Sequence, residues 1–249
     1  MYPKIFIEYF REHERSKEVF VAIPFSKPFR QRWDDIFVPA IEGLGLTPYR
    51  VDKRSISDSI LTDILSGICR AKLVLADIST NKRSSRNGNV MYELGLAHAT
   101  RMPEEAVIVR SDKGKLLFDI NQVRVRSFSP ANTRESIDLI KECLVDALKE
   151  IDLTRDMIVK KVQKQLDHDS MYVMAMEADK DTFTVATAEH GNYGHLEWQE
   201  ARIIFRKLQE LQIFESEIDS DARPVKYRWS SLGRAVKAKL KDTLDSYRR

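Results

Sequence analysis

Cysteine is scarce: only Cys69 and Cys143 occur in 249 residues. Neither has a second Cys or a His at metal-ligand spacing, which argues against a zinc site and a disulfide scaffold. Two isolated thiols suit a reducing compartment. Long hydrophobic runs are also missing, and none approaches the roughly 18 residues of a membrane span. The N-terminus carries early acids and no signal-peptide layout, so the expectation is a cytoplasmic, soluble protein with no membrane partner and no metal. Charge of one sign is lacking too. The 41 Lys and Arg against 38 Asp and Glu leave +3, too little to imply nucleic acid or an anionic surface as a partner of the whole chain. No internal repeat is visible. What remains is 43% hydrophobic and 32% charged residues, a globular composition on a chain long enough for one large or two ordinary domains.

The pattern along the chain is regular from Glu18. Residues 1–17 read as a short, charged N-terminal extension. Val19 to Ile23 is a continuous apolar run, the mark of a strand buried on both faces. A loop, Pro24-Phe25-Ser26-Lys27-Pro28, follows. Arg32 to Leu44 has the spacing of an amphipathic helix that ends at Gly43 and Gly45. Leu46–Val51 is a second strand. Ser55 and Asp58 fit a capping box before a helix with Ile60, Leu61, Ile64, Leu65 and Ile68 on its buried stripe. Lys72–Ala76 is a third strand. Ser79–Gly88 is a polar loop whose cations, Lys82, Arg83 and Arg86, read as solvated. A helix then carries Glu93 in its first turn, with Asn89 as a candidate N-cap. Ala106–Arg110 and Val123–Phe128 are further strands, and Ser136–Ile151 is a closing helix. Five alternations of strand and helix predict an α/β fold over residues 18–151: a flavodoxin-like, five-stranded parallel sheet in the order 2-1-3-4-5, with helices on both faces.

After residue 151 helical patterns dominate. Residues 152–249 read as a second, mainly helical domain, with helices over 154–166, 169–179 and 196–212. A hairpin pattern at Ile213-Phe214 and Tyr227–Trp229 leads through Ser230-Ser231-Leu232-Gly233 into a last helix. This order resembles a winged helix-turn-helix domain, which implies DNA or a protein as a partner. Residues 222–249 hold nine basic side chains against two acidic. On the 196–212 helix, however, Arg202, Arg206 and Lys207 are offset by Glu197, Glu200 and Glu210. That balance favours protein interaction or dimerisation over DNA.

The chemistry is concentrated in Asn89-Val90-Met91-Tyr92-Glu93-Leu94-Gly95-Leu96-Ala97-His98-Ala99. One carboxylate, Glu93, stands near the start of a small, apolar helix. Upstream, the strand Leu73–Ala76 runs into a second carboxylate, Asp77. Ligand sites of open α/β sheets lie at the carboxyl ends of the strands, where helix N-termini also point. Asn89 and Glu93 are four apart and share a helix face. Met91, Leu94 and Ala97 face the core, and Gly95 and Ala99 keep the helix slim against the sheet. His98, one turn on, reads as a packed or surface histidine. The loop after the first strand, with Pro24, Phe25 and Ser26 and with Lys27 or Arg30 adding charge, is a candidate phosphate or ribose contact. Arg54 and Ser55 lie on the same rim.

These pieces, with Val21-Ala22-Ile23-Pro24-Phe25 and Leu117-Phe118-Asp119-Ile120, resemble the nucleoside 2-deoxyribosyltransferase-like family and the TIR-like, nucleotide-binding group of bacterial proteins, over about residues 18–130. The resemblance implies N-glycosidic bond chemistry: Glu93 as the catalytic carboxylate, and Asp77 as a second catalytic acid that orients base or ribose. Asn89 and Tyr92 would supply neutral hydrogen bonds. Where the transferases commonly carry an acid six positions earlier, this chain has Asn87, a substrate-binding candidate that favours hydrolysis or plain binding over deoxyribosyl transfer. The implied function is an N-glycoside hydrolase or transferase acting on NAD or a (deoxy)nucleoside monophosphate, in the setting of bacterial anti-phage defence. No cofactor is required beyond that nucleotide, and a homo-oligomer is expected because related sites are often completed by a neighbouring subunit. The alternative is a non-catalytic nucleotide sensor whose winged helix contacts DNA or a protein. A plain transcription regulator is a third reading.

Overall fold

The computed structural model describes residues 15–51, 60–81, 85–116, 120, 123–184, 193–194, 196–217 and 226–248. Most of the expected N-terminal extension, together with Arg54, Ser55, Asp58, Lys82, Arg83 and residues 117–119, lies outside them. The chain divides into two compact units, Met1–Leu153 and Thr154–Arg249.

The first unit is the α/β fold read from the strand-and-helix alternation. Its strands are β1 (Glu18–Ala22), β2 (Thr47–Tyr49), β3 (Leu73–Asp77), β4 (Ala106–Arg110) and β5 (Val125–Ser127). They form one sheet in the order β2-β1-β3-β4-β5, and every pairing is parallel. β3, at the centre, is buried at all five positions, as a strand covered on both faces must be.

The crossovers decide which helix covers which face. Parallel connections are right-handed. The step from β1 to β2 runs one way along the sheet, whereas the steps from β2 to β3 and from β3 to β4 run the other. Helices α1 (Lys27–Arg32) and α2 (Val38–Glu42) therefore cover one face, and α3 (Ile60–Arg70) and α4 (Gly88–Thr100) cover the opposite one. The core divides accordingly. Phe20, Ala22, Val74, Ala76 and Ile78 pack with α3 and α4. Val19, Val21, Leu73, Leu75 and Val109 pack with α1, α2 and the long α5 (Thr133–Gln163).

Two helices differ from the sequence reading. The expected Arg32–Leu44 helix starts earlier, at Lys27, and contains a π-helical turn at Trp33–Phe37. That turn ends two residues before Pro39, which offers no N–H and whose ring excludes the carbonyl four residues back. Gly45, at φ +70°, ends the segment as expected. The helix expected to close at Ile151 instead continues to Gln163, because no Gly or Pro between Ile151 and Gln163 interrupts it.

The second unit holds α6 (His168–Met176), β6 (Thr182–Thr184), α7 (Trp198–Glu210), β7 (Phe214–Glu217), β8 (Lys226–Trp229), α8 (Ser231–Lys239) and α9 (Lys241–Ser246). Its antiparallel sheet has the order β6-β8-β7. Phe183, Phe205, Phe214 and Trp229 meet edge-on in its core, with Phe214 and Trp229 at 4.9 Å between ring centres. At the start of α8 the Ser230 hydroxyl donates to the Gln212 carbonyl and accepts the Gly233 N–H at 2.8 Å. A Cβ on Gly233 would stand 2.1 Å from the Ile213 carbonyl oxygen. Backbone cannot yield there as a side chain would. Gly233→Ala is expected to cost about 3 kcal/mol, read as a lower melting transition in calorimetry. An unchanged transition would show that the turn repacks.

Candidate active site

Helix α4 begins one residue after Asn87, which is its N-cap: the Asn87 side-chain oxygen accepts the N–H groups of Asn89 at 2.9 Å and Val90 at 3.2 Å. Asn89 is thus not the cap, and Glu93 sits in the second turn, not the first. Val90, Leu94 and Ala97 form the buried line of the helix. Glu93 lies on the flank of that line, on the same side as Asn89 and half-buried. Among the described residues no hydrogen-bond donor or cation pairs with its carboxylate, and burial alone pushes its pKa from 4.5 to about 7. Tyr92 points outward and is 50% exposed. Gly95 and Ala99 also face outward: among the described residues nothing comes within 4 Å of a Cβ placed on Gly95. They do not form the expected slim contact with the sheet. His98 is exposed at the residue level, and partial burial holds its imidazole below the usual pKa.

Asp77 is placed differently from expectation. On a strand, alternate residues share a face, so Asp77 stands with Leu73 and Leu75 on the α1–α2 side of the sheet, opposite α4. It is fully buried. One oxygen accepts from the Arg32 guanidinium at 2.9 Å, and the other accepts the Ser79 N–H at 3.0 Å and the Ser79 hydroxyl. Burial pushes the Asp77 carboxyl up, while Arg32 and Ser79 pull it down. Arg32 in turn lies over the rings of Phe29, at 4.4 Å, and Phe128. The structure therefore does not bring the two acids together, and both oxygens of Asp77 are engaged within the protein. Asp77 orders the carboxyl edge instead of presenting a carboxylate to a ligand. Removing its charge would strand a largely buried guanidinium, so Asp77→Asn is expected to destabilise the protein by about 2 kcal/mol. A denaturation midpoint that does not move would refute this structural role.

The same edge is wired further along. The Ser79 hydroxyl accepts the Ser111 N–H at 2.8 Å and contacts the Ser111 hydroxyl, tying β3 to β4. Asp112 accepts the Thr80 N–H at 3.0 Å and the Gly114 N–H at 2.8 Å, and pairs with Arg86 at 3.4 Å. Its neighbours Thr80, Gly114, Arg86 and Arg110 outweigh desolvation and hold its pKa below the usual range. Arg86, read from sequence as a solvated loop cation, is instead 8% exposed and donates to the carbonyls of Ile78 and Lys115. Sequence reasoning missed Arg32, Ser79, Ser111 and Asp112. Only Asp112 carried a signal, as an acid just beyond a strand's carboxyl end.

After β1, Pro24 is buried, while Phe25, Ser26, Lys27 and Arg30 are exposed. The Ser26 carbonyl accepts the N–H groups of Phe29 and Arg30, and its hydroxyl makes no capping bond. Phe25 is 40% exposed, and Arg50, from the end of β2, lies over both Phe25 and Trp33. An exposed ring and a stacked guanidinium thus share the carboxyl edge. A cleft of about 360 Å³, lined by Val107, Arg124, Cys143 and Asp146 among others, opens beside β5 and α5 and contains none of the expected site residues. Among the described residues no cluster of His, Cys, Asp or Glu could hold a metal ion, and no helix is long and apolar enough to cross a membrane.

No protein-family model matches the chain, and no curated protein matches it.

Proposed function

We propose that the first unit binds a nucleotide at the carboxyl edge of its sheet and cleaves the base–sugar bond, with Glu93 as the essential carboxylate. One observation carries this reading: Glu93 is a desolvated acid with no partner among the described residues, and its pKa stands near 7. A buried carboxylate without a compensating donor is a cost to the fold, and such costs concentrate where charge is used. Cleavage of an N-glycosidic bond builds positive charge on the anomeric carbon and ring oxygen. A carboxylate in a low-dielectric flank stabilises that charge or captures it covalently. A cationic substrate such as NAD would itself draw the Glu93 pKa down and supply the anion needed. Asn89, on the same helix flank, would hydrogen-bond a sugar hydroxyl, and Phe25 would offer a face for a base. Asp77 would act indirectly, by fixing Arg32 and Ser79. No further cofactor is required.

The test is direct. The full-length protein is incubated with NAD and, separately, with deoxynucleoside monophosphates, and free nicotinamide or free base is measured by chromatography. Release that disappears in Glu93→Gln is the expected result. Release that survives the substitution, or none from any of these substrates, would retire the glycosidase reading.

A second reading is a nucleotide sensor, and it draws on the second unit. The antiparallel strand order β6-β8-β7 supports, without establishing, a winged-helix reading, and α7 turns Arg202, Arg206 and a 70%-exposed Ile203 outward. In that reading nucleotide binds tightly without turnover, and the second unit contacts DNA or a protein. A gel shift with a steep salt dependence would distinguish DNA.

A further inference from the structure

We propose that the cleft beside β5 and α5 is a binding site for a free α-amino acid with an apolar side chain. All of its lining residues belong to the first unit. It opens at the amino end of β4, away from the carboxyl edge. The local sequence accounts for the hollow. β5 starts opposite Ile108, so Ala106 and Val107 of β4 have no strand beyond them and the sheet edge is notched. Alternate residues of an extended segment face opposite sides. Val123 and Val125 pack with the α3–α4 core, which turns Arg124 and Arg126 toward α5. That helix meets them with two rows. Cys143 and Ala147, four apart, are small and buried, whereas Asp146 and Glu150, also four apart, are charged. Small side chains opposite long ones leave about 360 Å³ unfilled, within the roughly 300–1,000 Å³ of small-molecule sites. Burial pushes the Cys143 thiol up, so it stays neutral and forms an apolar floor with Val107 and Ala147.

The charges at the mouth name the ligand. Arg124 and Arg126 reach Asp146 and Glu150 only at 3.7–4.0 Å and, among the described residues, donate no hydrogen bond. Such distances are too long for one, so the guanidinium N–H groups are able to take a carboxylate. Glu104 adds a third acid to the lining. Two guanidiniums then face three carboxylates, and the site is short of one positive charge. A plain anion would deepen that imbalance, and a plain cation would leave the arginine donors unmet. A zwitterion answers both. Its carboxylate accepts from Arg124 and Arg126, its ammonium donates to the acids, and its side chain covers the apolar floor.

The experiment is titration calorimetry of the full chain with L-leucine and L-phenylalanine. Each is compared with its acid lacking the amine (isocaproate, hydrocinnamate) and its amine lacking the carboxylate (isoamylamine, phenethylamine). At least one amino acid should bind with a dissociation constant of about 0.1 mM, and its two single-charge analogues at least about tenfold more weakly. Arg126→Gln and Glu150→Gln, both on the exposed rim, should each weaken binding about tenfold with unchanged circular dichroism. The bound amino acid should also slow alkylation of Cys143, read on its separated peptide, and leave the rate at buried Cys69 unchanged. The proposal is overturned by no binding of either amino acid up to about 5 mM, or by an analogue that binds as tightly as its parent. Binding indifferent to both substitutions, or an alkylation rate at Cys143 that does not fall, would overturn it as well.

Discussion

Replacing Glu93 by Gln is expected to lower the proposed base release by on the order of a thousandfold or more and, at the same time, to make the protein more stable at alkaline pH. The two effects share one cause. Burial raises the Glu93 pKa from 4.5 to about 7, with no hydrogen bond or cation among the described residues to offset it. The folded chain thus holds the Glu93 proton more tightly than the unfolded chain does. Below about pH 4.5 the group is protonated in both states and contributes no penalty. Between about pH 4.5 and 7 the unfolded chain releases the proton first, and stability falls as pH rises. Above about pH 8 the full cost is present, on the order of 3 kcal/mol from a shift of this size. Glutamine keeps the shape and carries no charge, so Glu93→Gln should gain that amount near pH 8 and show almost no gain near pH 4.5. Melting curves of the two proteins at both pH values provide the check. If the wild type is the more stable at pH 8, Glu93 has a partner that compensates its burial, and the premise of the proposed function fails.

A loss of about 4 kcal/mol is expected for Arg101→Met. Arg101 follows the last residue of α4 and is 7% exposed. Its guanidinium donates to the carbonyls of Ile68, Ala71 and Lys72, the latter two at 2.8 Å, and its Nε lies 3.5 Å from Glu105. These carbonyls belong to the end of α3 and the turn into β3, where a helix leaves its final acceptors unpaired. Burial lowers the Arg101 pKa to about 10, a real desolvation cost, with Glu105 opposing it. The charge nevertheless persists at neutral pH by about three units. Methionine would fill part of the volume but leave three acceptors unmet and Glu105 without its cation, and those losses outweigh the relieved desolvation. Lysine should recover only part of the loss, because one ammonium cannot reach three divergent carbonyls as a planar fork does. Calorimetry of the first unit's transition would register a fall of about 10 °C for methionine. A shift under 2 °C would mean that water replaces the guanidinium.

The sheet was legible in the sequence because its strands are short apolar runs, and a buried parallel strand has little freedom to look otherwise. The order followed from the alternation of strand and helix. Helix ends were less legible. Asn87 and Asn89 are both good caps, and only the backbone reveals that the first is used. The π turn before Pro39 and the continuation of α5 past Ile151 depend on local strain and on the lack of a breaker, which periodicity does not register. The largest divergence was at Asp77. Its alternation with Leu73 and Leu75 is visible in the sequence, but its partner Arg32 lies 45 positions away on a helix whose sheet face is fixed by crossover direction. Arg86 shows the same limit: a cation in a polar loop reads as solvated until the carbonyls it bonds are brought together by folding.

The Arg32–Asp77 contact has an evolutionary corollary. A charge consumed inside the protein is replaceable as a pair, so related chains should exchange residues 32 and 77 jointly, for two apolar side chains or for a neutral hydrogen-bonding couple. A glutamate with no mate among the described residues, as Glu93 is, has no such compensating change. Descendants that abandon position 93 should do so alone, and should keep the architecture while losing the proposed cleavage.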